Sequence, residues 1–290
     1  MKRVKKEKRI TWGLLGILVL SFGCGSAQEQ EPGQEITLRF GAMVGEEVFA
    51  CGETYEGLGS TETTFEPFDF RLYISEIELQ NQQGQWEPLV LEQDGVWQHE
   101  NVALLDFEDR SGRCQNGTSE TNDEVVGRLV EPNPRGLRFT IGVPFALNHI
   151  DASTAPSPLN QTAMFWNWLG GYKFVRLEGA TTELSTGWQF HLGSTSCIPV
   201  EGGGAQSCAN ENRVQVVLDD FDPLDKKVIF DVAALVEGAN LDDYLEGTPR
   251  GCMSGPEDTD CATLFQNLGL SHSGVSGADS SPFIRVEGLE

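Results

Sequence analysis

The chain has 290 residues and carries 20 Lys/Arg against 44 Asp/Glu, a net charge of −24. So acidic a surface repels phosphate backbones and anionic headgroups, which makes nucleic acid and lipid headgroups poor partners. With 39% hydrophobic residues the chain can bury a sizeable core, and its length suits one large or two small domains.

Residues 1–23 read as a lipoprotein signal peptide. The start, Met1-Lys2-Arg3-Val4-Lys5-Lys6, is basic; an apolar run over 12–20 follows, too short to span a bilayer comfortably; and Ser21-Phe22-Gly23 precedes Cys24. Cys24 is then the lipidated first residue of the mature chain, and 24–34 is a polar tether. Ordinary secretion is the alternative. Residues 1–23 hold six Lys/Arg and one Glu, so the mature chain keeps 14 basic and 43 acidic residues, a net charge near −29. The expected location is the cell envelope, periplasmic or on the outer-membrane surface, with membrane contact through the lipid anchor only.

Six cysteines remain: Cys51, Cys114, Cys197, Cys208, Cys252 and Cys261. An even number in an exported chain reads as disulfides. Short loops favour Cys197–Cys208 and Cys252–Cys261, which leaves Cys51–Cys114, although sequence alone leaves the connectivity open. Thiolate metal ligation would favour CxxC pairs, and the chain has none.

From residue 35 onward strand signals dominate. Residues 35–42 and 69–79 alternate polar and apolar with period two. A hairpin turn at 81–84 leads into 86–90, and short strands follow at 102–107 and 137–143, the latter stopped by Pro144. Runs 172–178 and 187–192 pair as a hairpin, and 214–218 with 227–232 repeats that pattern across a turn at 219–225. Helix signals are few: a turn over 122–129 capped by Asn122, another over 163–169, and 260–269 ending in Gly269. This pattern predicts an all-β fold over 35–290, an antiparallel β-sandwich or barrel-like domain with long loops and a few short helices.

No GxSxG, HExxH, P-loop or dinucleotide fingerprint is present, and no cysteine has the context of a nucleophile, so a binding protein rather than an enzyme is expected. Two acidic turns offer oxygen ligands for Ca²⁺: Asp106, Glu108 and Asp109 with Asn122 and Asp123, and Asp219, Asp220, Asp222 and Asp225. Neither has the EF-hand spacing, and a solvated acidic turn is the more ordinary outcome. Histidines number only four. His149 follows a strand, and His191 lies in one, on the side of Gln189. Two imidazoles from separate segments suit a copper site of low coordination number, although a lone histidine in a β protein is more often a satisfied polar group. Between them Trp166-Asn167-Trp168 precedes Gly170-Gly171. Two indoles two residues apart point the same way in a strand-like stretch, as packing, as a stacking surface or as oxidisable groups near a redox centre.

The segments Phe49-Ala50-Cys51-Gly52, Asp69-Phe70-Arg71-Leu72-Tyr73, Val102-Ala103-Leu104-Leu105-Asp106-Phe107, Gly142-Val143-Pro144-Phe145-Ala146-Leu147-Asn148-His149, Met164-Phe165-Trp166-Asn167-Trp168 and Phe190-His191-Leu192-Gly193-Ser194-Thr195-Ser196-Cys197 resemble the MbnP family. This is the four-Cys half of a metallo-mystery pair, and the likeness spans about residues 36–270. The resemblance implies a copper-binding protein outside the cytoplasm. It also implies a partner, an MbnH-like di-haem peroxidase of the MauG type, that oxidises a tryptophan to kynurenine and so helps to form the copper site. The four family cysteines map onto Cys51, Cys114, Cys197 and Cys208. His149 and His191 lie in matching motifs and are the implied ligands. Trp166 and Trp168 lead as the modified residue. Trp97 is a rival, because Trp97-Gln98-His99 is similar to a Trp-x-His arrangement in related copper proteins. Cys252, Cys261 and the tail after Gly269 fall outside the four-Cys core. The competing readings are a calcium-binding structural or adhesive surface lipoprotein without redox chemistry and, last, a hydrolase without a recognisable motif.

Overall fold

The computed structural model describes residues 33–130 and 133–289. The expected signal peptide, Cys24 and nearly all of the tether lie outside these residues.

Two sheets form the scaffold. The smaller runs Ile284–Gly288, Lys226–Asp231, Gln34–Val44, Glu124–Leu129, Val90–Leu91, with Glu47–Val48 added beside Gln34–Val44. The larger runs Val214–Leu218, Gly136–Ile141, Thr63–Gln80, Val175–Thr181, Trp188–Leu192, Gly251–Cys252. Its axis is the 18-residue strand Thr63–Gln80, which also pairs with Tyr55–Leu58, Trp86–Pro88 and Val102–Asp106. Neither sheet closes into a barrel, so of the two expected architectures the sandwich is the one formed. Most pairings are antiparallel; Gln34–Val44 with Lys226–Asp231 and Trp188–Leu192 with Gly251–Cys252 are parallel.

The alternation read from residues 69–79 decides what each face of the larger sheet does. Phe70, Leu72 and Ile74 are fully buried on one face. There Phe70 meets Phe49, Phe107 and Phe283, and Phe283 meets Phe230, which stacks on Phe40. This aromatic chain joins the two sheets, and burial of such rings is the main force holding them together. Arg71, Tyr73 and Ser75 point to the other face, which is buried too. Residues 142–174 lie across it: Tyr73 donates to the Pro158 carbonyl at 2.9 Å, Ser75 to the Gly142 carbonyl at 2.7 Å and Arg176 to the Ala163 carbonyl at 2.9 Å.

Three expectations are corrected. Val214–Leu218 and Lys226–Asp231 are strands but not a hairpin; the first joins the larger sheet and the second the smaller. Phe221, fully buried in the turn between them, anchors the crossing of the chain from one sheet to the other. Residues 122–129 form no helical turn. Glu124–Leu129 is a strand with alternating burial, paired with Gln34–Val44, and the two adjacent β-branched residues Val125 and Val126 favour that state. Over 163–169 the chain makes one 3₁₀ turn, Thr162–Met164, and then the strand Phe165–Asn167. The expected C-terminal helix forms as Cys261–Asn267, and Gly269 follows it with a φ of 78°, a left-handed cap conformation that glycine adopts freely.

The disulfides are Cys51–Cys114, Cys197–Cys208 and Cys252–Cys261. Cys197 and Cys208 are directly opposed across the ribbon Thr195–Pro199 and Ala205–Asn210. Cys252–Cys261 ties the edge strand of the larger sheet to the C-terminal helix.

Candidate metal centre

His191 lies in Trp188–Leu192 and is paired with Arg176 across the hairpin. Arg176 is paired in turn with Arg71, and Arg71 with Asp106. Four adjacent strands thus place Asp106, Arg71, Arg176 and His191 in one row, and Asp69 and Glu178 oppose each other one step along the same face. All six are buried.

Opposed arginines repel, so the row depends on its carboxylates. Asp69 accepts from Arg71 Nε at 2.8 Å and from Arg71 Nη2 at 2.5 Å, and its Oδ2 lies 3.2 Å from Arg176 Nε. Glu178 accepts from Arg176 Nε at 2.8 Å and Nη2 at 2.9 Å, and from His191 Nε2 at 2.6 Å. Burial alone would raise the Glu178 pKa, but the bonds from His191 and Arg176 outweigh it and hold the carboxyl at about 2. For His191 burial wins over the attraction of Glu178 and lowers the imidazole pKa. The pair is therefore a neutral imidazole on a charged carboxylate. His191 Nδ1 is buried and has no hydrogen-bond partner. At the far end of the row, burial pushes Asp106 up to about 7 against the pull of Arg71.

His149 follows the single helical turn Phe145–Asn148, and its ring lies 4.9 Å from that of Phe145. Its Nδ1 is 3.2 Å from the Trp168 carbonyl oxygen and its Nε2 is 3.3 Å from Asn148 Nδ2. Half-burial lowers its pKa, opposed by the bond to the Trp168 carbonyl. Asn148 Nδ2 also reaches Ser194 Oγ at 3.4 Å, three residues beyond His191 in sequence. Among the described residues, His149, Cys197 and Cys208 are the one set of three His, Cys or carboxylate donors within 4.8 Å of one another. Both sulfurs belong to a disulfide, so they are not thiolate ligands; Cys208 Sγ lies 3.5 Å from His149 Nε2.

The two indoles differ. Trp166 is half-buried over Gly193, where a Cβ would stand 2.5 Å from its ring, and lies with its ring centroid 6.3 Å from that of His191. Trp168 is 48% exposed and packs over Gly203. The structure therefore brings each histidine to one end of Trp166-Asn167-Trp168. Trp97 and His99 stand elsewhere: the Asp94 carboxylate accepts from Trp97 N at 2.8 Å, His99 lies 3.7 Å from Glu100, and no hydrogen bond or ring contact among the described residues joins them to His149, His191, Trp166 or Trp168. Trp188 is buried against Phe65. Neither acidic turn brings three donor atoms together. In the first, Asp106 and Glu108 are buried near Arg71; in the second, Asp220 pairs with Lys226.

Asp69, Arg71 and Asn148 enter the sequence reading only within the family segments and the strand run 69–79, and Arg176 and Glu178 only within the strand run 172–178, none of them as a site residue. Their signal was present, as Asp-x-Arg and Arg-x-Glu at period two inside apolar strands. Such charges ordinarily face water; here they are buried, with Ala163 of the covering segment over Arg176 and the loop that carries Glu108 and Gly117 beside Arg71.

No curated protein matches the chain. The fold superposes on MbnP from Methylosinus trichosporium with a TM-score of 0.80 at 31% identity, covering 89% of this chain and 99% of that one. The MbnP family profile matches residues 33–254, which include both histidines, Trp166, Trp168 and the Cys51–Cys114 and Cys197–Cys208 bridges, and the chain belongs to the MbnP family.

Proposed function

We propose that the chain is an extracytoplasmic copper-binding protein in which His149 and His191 supply imidazole ligands beside Trp166-Asn167-Trp168. The observation that carries the reading is His191 Nδ1, a buried imidazole nitrogen without a partner, next to an indole and in a family member. The donor set fits copper: neutral imidazole suits it, and copper heads the divalent affinity order, so two histidines and few further groups can hold it. Bound copper would supply a Lewis-acidic, redox-active centre.

The chain's own part is to seat the groups. The Cys197–Cys208 ribbon and the Phe145 ring wall the His149 side. Gly193 gives the Trp166 ring its place, and the Glu178–Arg176 pair orients His191. A di-haem peroxidase partner is proposed to oxidise Trp166 or Trp168. With two equivalents of hydrogen peroxide as the oxidant at the partner's haems, the indole loses four electrons, its C2 carbon leaves as formate and one water is released. The net change is a gain of one oxygen and loss of one carbon, and it replaces the indole with an aniline amine and a ketone that can approach a metal. The half-exposed Trp168 is open to an external oxidant. The envelope location through lipidated Cys24 is part of the same proposal, and Cys24→Ala is expected to release the protein into the soluble envelope fraction.

The test is metal and peptide-mass analysis of protein purified from its native envelope, with His149→Ala and His191→Ala made singly. Copper retained after dialysis against a chelator is expected to fall in both, with the oxidised tryptophan at 166 or 168. Full retention in both variants refutes the ligand assignment. Oxidation at Trp97 would move the site towards His99. Calcium without copper or kynurenine would favour the structural-lipoprotein reading.

A further inference from the structure

Each histidine has one ring nitrogen tied to a group that can act in one sense only. For His149 the partner of Nδ1 is the Trp168 carbonyl oxygen at 3.2 Å, which only accepts. Its Nε2 faces Asn148 Nδ2 at 3.3 Å. That amide is oriented independently, because Asn148 Oδ1 accepts from Tyr172 N at 2.9 Å, so Nδ2 is the donating end. The Trp168 and Asn148 contacts demand the same tautomer, with the proton on Nδ1 and the lone pair on Nε2; the third neighbour of Nε2, the disulfide sulfur Cys208 Sγ at 3.5 Å, is only a weak acceptor and does not outweigh them.

For His191 the partner of Nε2 is Glu178 Oε1 at 2.6 Å. Arg176 binds both oxygens of that carboxylate, at 2.8 and 2.9 Å, which keeps Glu178 an acceptor. Nε2 must then carry the proton. Nδ1 is buried without a partner, and a proton there would be an unpaired buried N–H, so it holds the lone pair.

We infer that His149 and His191 are locked in opposite tautomers, that the metal-binding atoms are His149 Nε2 and His191 Nδ1, and that Glu178 and the Trp168 carbonyl are the positioning groups. The tautomers stand on hydrogen-bond geometry alone; the ligand role rests on the copper reading. Asn148 guards the His149 lone pair and has a second acceptor when a metal displaces it, because Ser194 Oγ lies 3.4 Å from Nδ2 and spends its own proton on the Glu211 carbonyl at 2.9 Å. Tying the non-ligating nitrogen of a histidine to a carboxylate or carbonyl is the usual way a protein orients such a ligand.

The experiment is ¹⁵N NMR of the imidazoles in metal-free protein, for the wild type and Glu178→Gln, with copper affinity measured on the same samples and folding checked by thermal unfolding. In the wild type, the Nε2–H form at His191 and the Nδ1–H form at His149 are expected; the reverse at either residue overturns the assignment without any copper measurement or variant. In E178Q the amide can donate to Nε2, so His191 is expected to shift towards the Nδ1–H form while His149 stays as it was. Copper affinity is then expected to fall about 10- to 100-fold. A folded E178Q that keeps the wild-type His191 tautomer overturns the role of Glu178. Wild-type tautomers as stated, with copper affinity unchanged in both E178Q and His191→Ala, would remove His191 as a ligand and leave the tautomer assignment supported.

Discussion

Arg176 and His191 face each other across one hairpin and share a single oxygen, Glu178 Oε1, at 2.8 and 2.6 Å. The carboxylate is the hinge of the buried row: without it the guanidinium keeps only the Ala163 carbonyl on Nη1 and the longer contact to Asp69 on Nε, and the imidazole keeps none on Nε2. Glu178→Leu is therefore expected to destabilise the fold by about 3 kcal/mol, the cost of breaking a buried ion pair from one side. Chemical denaturation measures it, and a loss well under about 1 kcal/mol would mean that water or neighbouring groups replace the carboxylate.

Asp106 titrates at about 7 in the fold because burial disfavours its charge. Between about pH 4 and pH 7 the folded chain holds a proton that the unfolded chain has released. The contribution of Asp106 is thus complete at low pH and is lost as pH rises through 7. Asp106→Asn mimics the protonated form and can still accept from Glu108 N. The variant is expected to match the wild type at pH 4 and to exceed it at pH 8 by on the order of 2 kcal/mol. Stability curves for the two proteins that run parallel across this range would contradict the raised pKa. Glu178 runs the opposite way: its pKa of about 2 makes its contribution present at neutral pH and lost as pH falls below about 4.5.

Gly193 seats Trp166. A Cβ there would stand 2.5 Å from the indole and 2.8 Å from the Tyr172 carbonyl oxygen, and the backbone half of that clash cannot rotate away. Gly193→Ala is expected to cost about 1–3 kcal/mol and to displace the indole. Thermal unfolding and the tryptophan fluorescence spectrum check both effects; an unchanged spectrum and melting temperature would place the Trp166 ring elsewhere.

The disulfides are expected to differ in weight. Cys51–Cys114 closes a loop with a sequence separation of 63, and Cys197–Cys208 one of 11. Loop-closure entropy gives about 4 kcal/mol for the first and about 3 kcal/mol for the second. Replacing each pair by serines and comparing denaturation midpoints tests the order. A larger loss from the Cys197/Cys208 replacement would show that this ribbon contributes through native contacts beyond chain entropy.

The sequence by itself determined what local periodicity and composition carry. The alternation over 69–75 was enough to place the central strand, because a period-two pattern with one apolar side has a single way to face a core. Its phase slips at Ser75-Glu76, where Glu76 takes a φ of 53° and the pairing with Gly136–Ile141 shifts register, so that Ile77 and Leu79 are the buried residues beyond it. The short spacings of Cys197 with Cys208 and Cys252 with Cys261 marked two bridges that the structure forms. Motif order pointed to the family, and with it to His149, His191 and the paired indoles. Pairing partners were not legible. Residues 214–218 and 227–232 read as a hairpin, yet they enter different sheets, since a turn constrains neighbours in sequence while a sheet edge selects partners far away, such as Phe40 for Val228. Residues 122–129 carried Asn122 as a capping residue, and pairing with Gln34–Val44 overrode it. The row Asp106, Arg71, Arg176, His191 was invisible for the same reason: its members come from four separate strands, and only cross-strand register aligns them. The burial that turns those charges from surface groups into a network orienting His191 was decided by the tertiary structure alone, because it depends on where segments distant in sequence, Ala163 over Arg176 and the Glu108–Gly117 loop beside Arg71, come to rest.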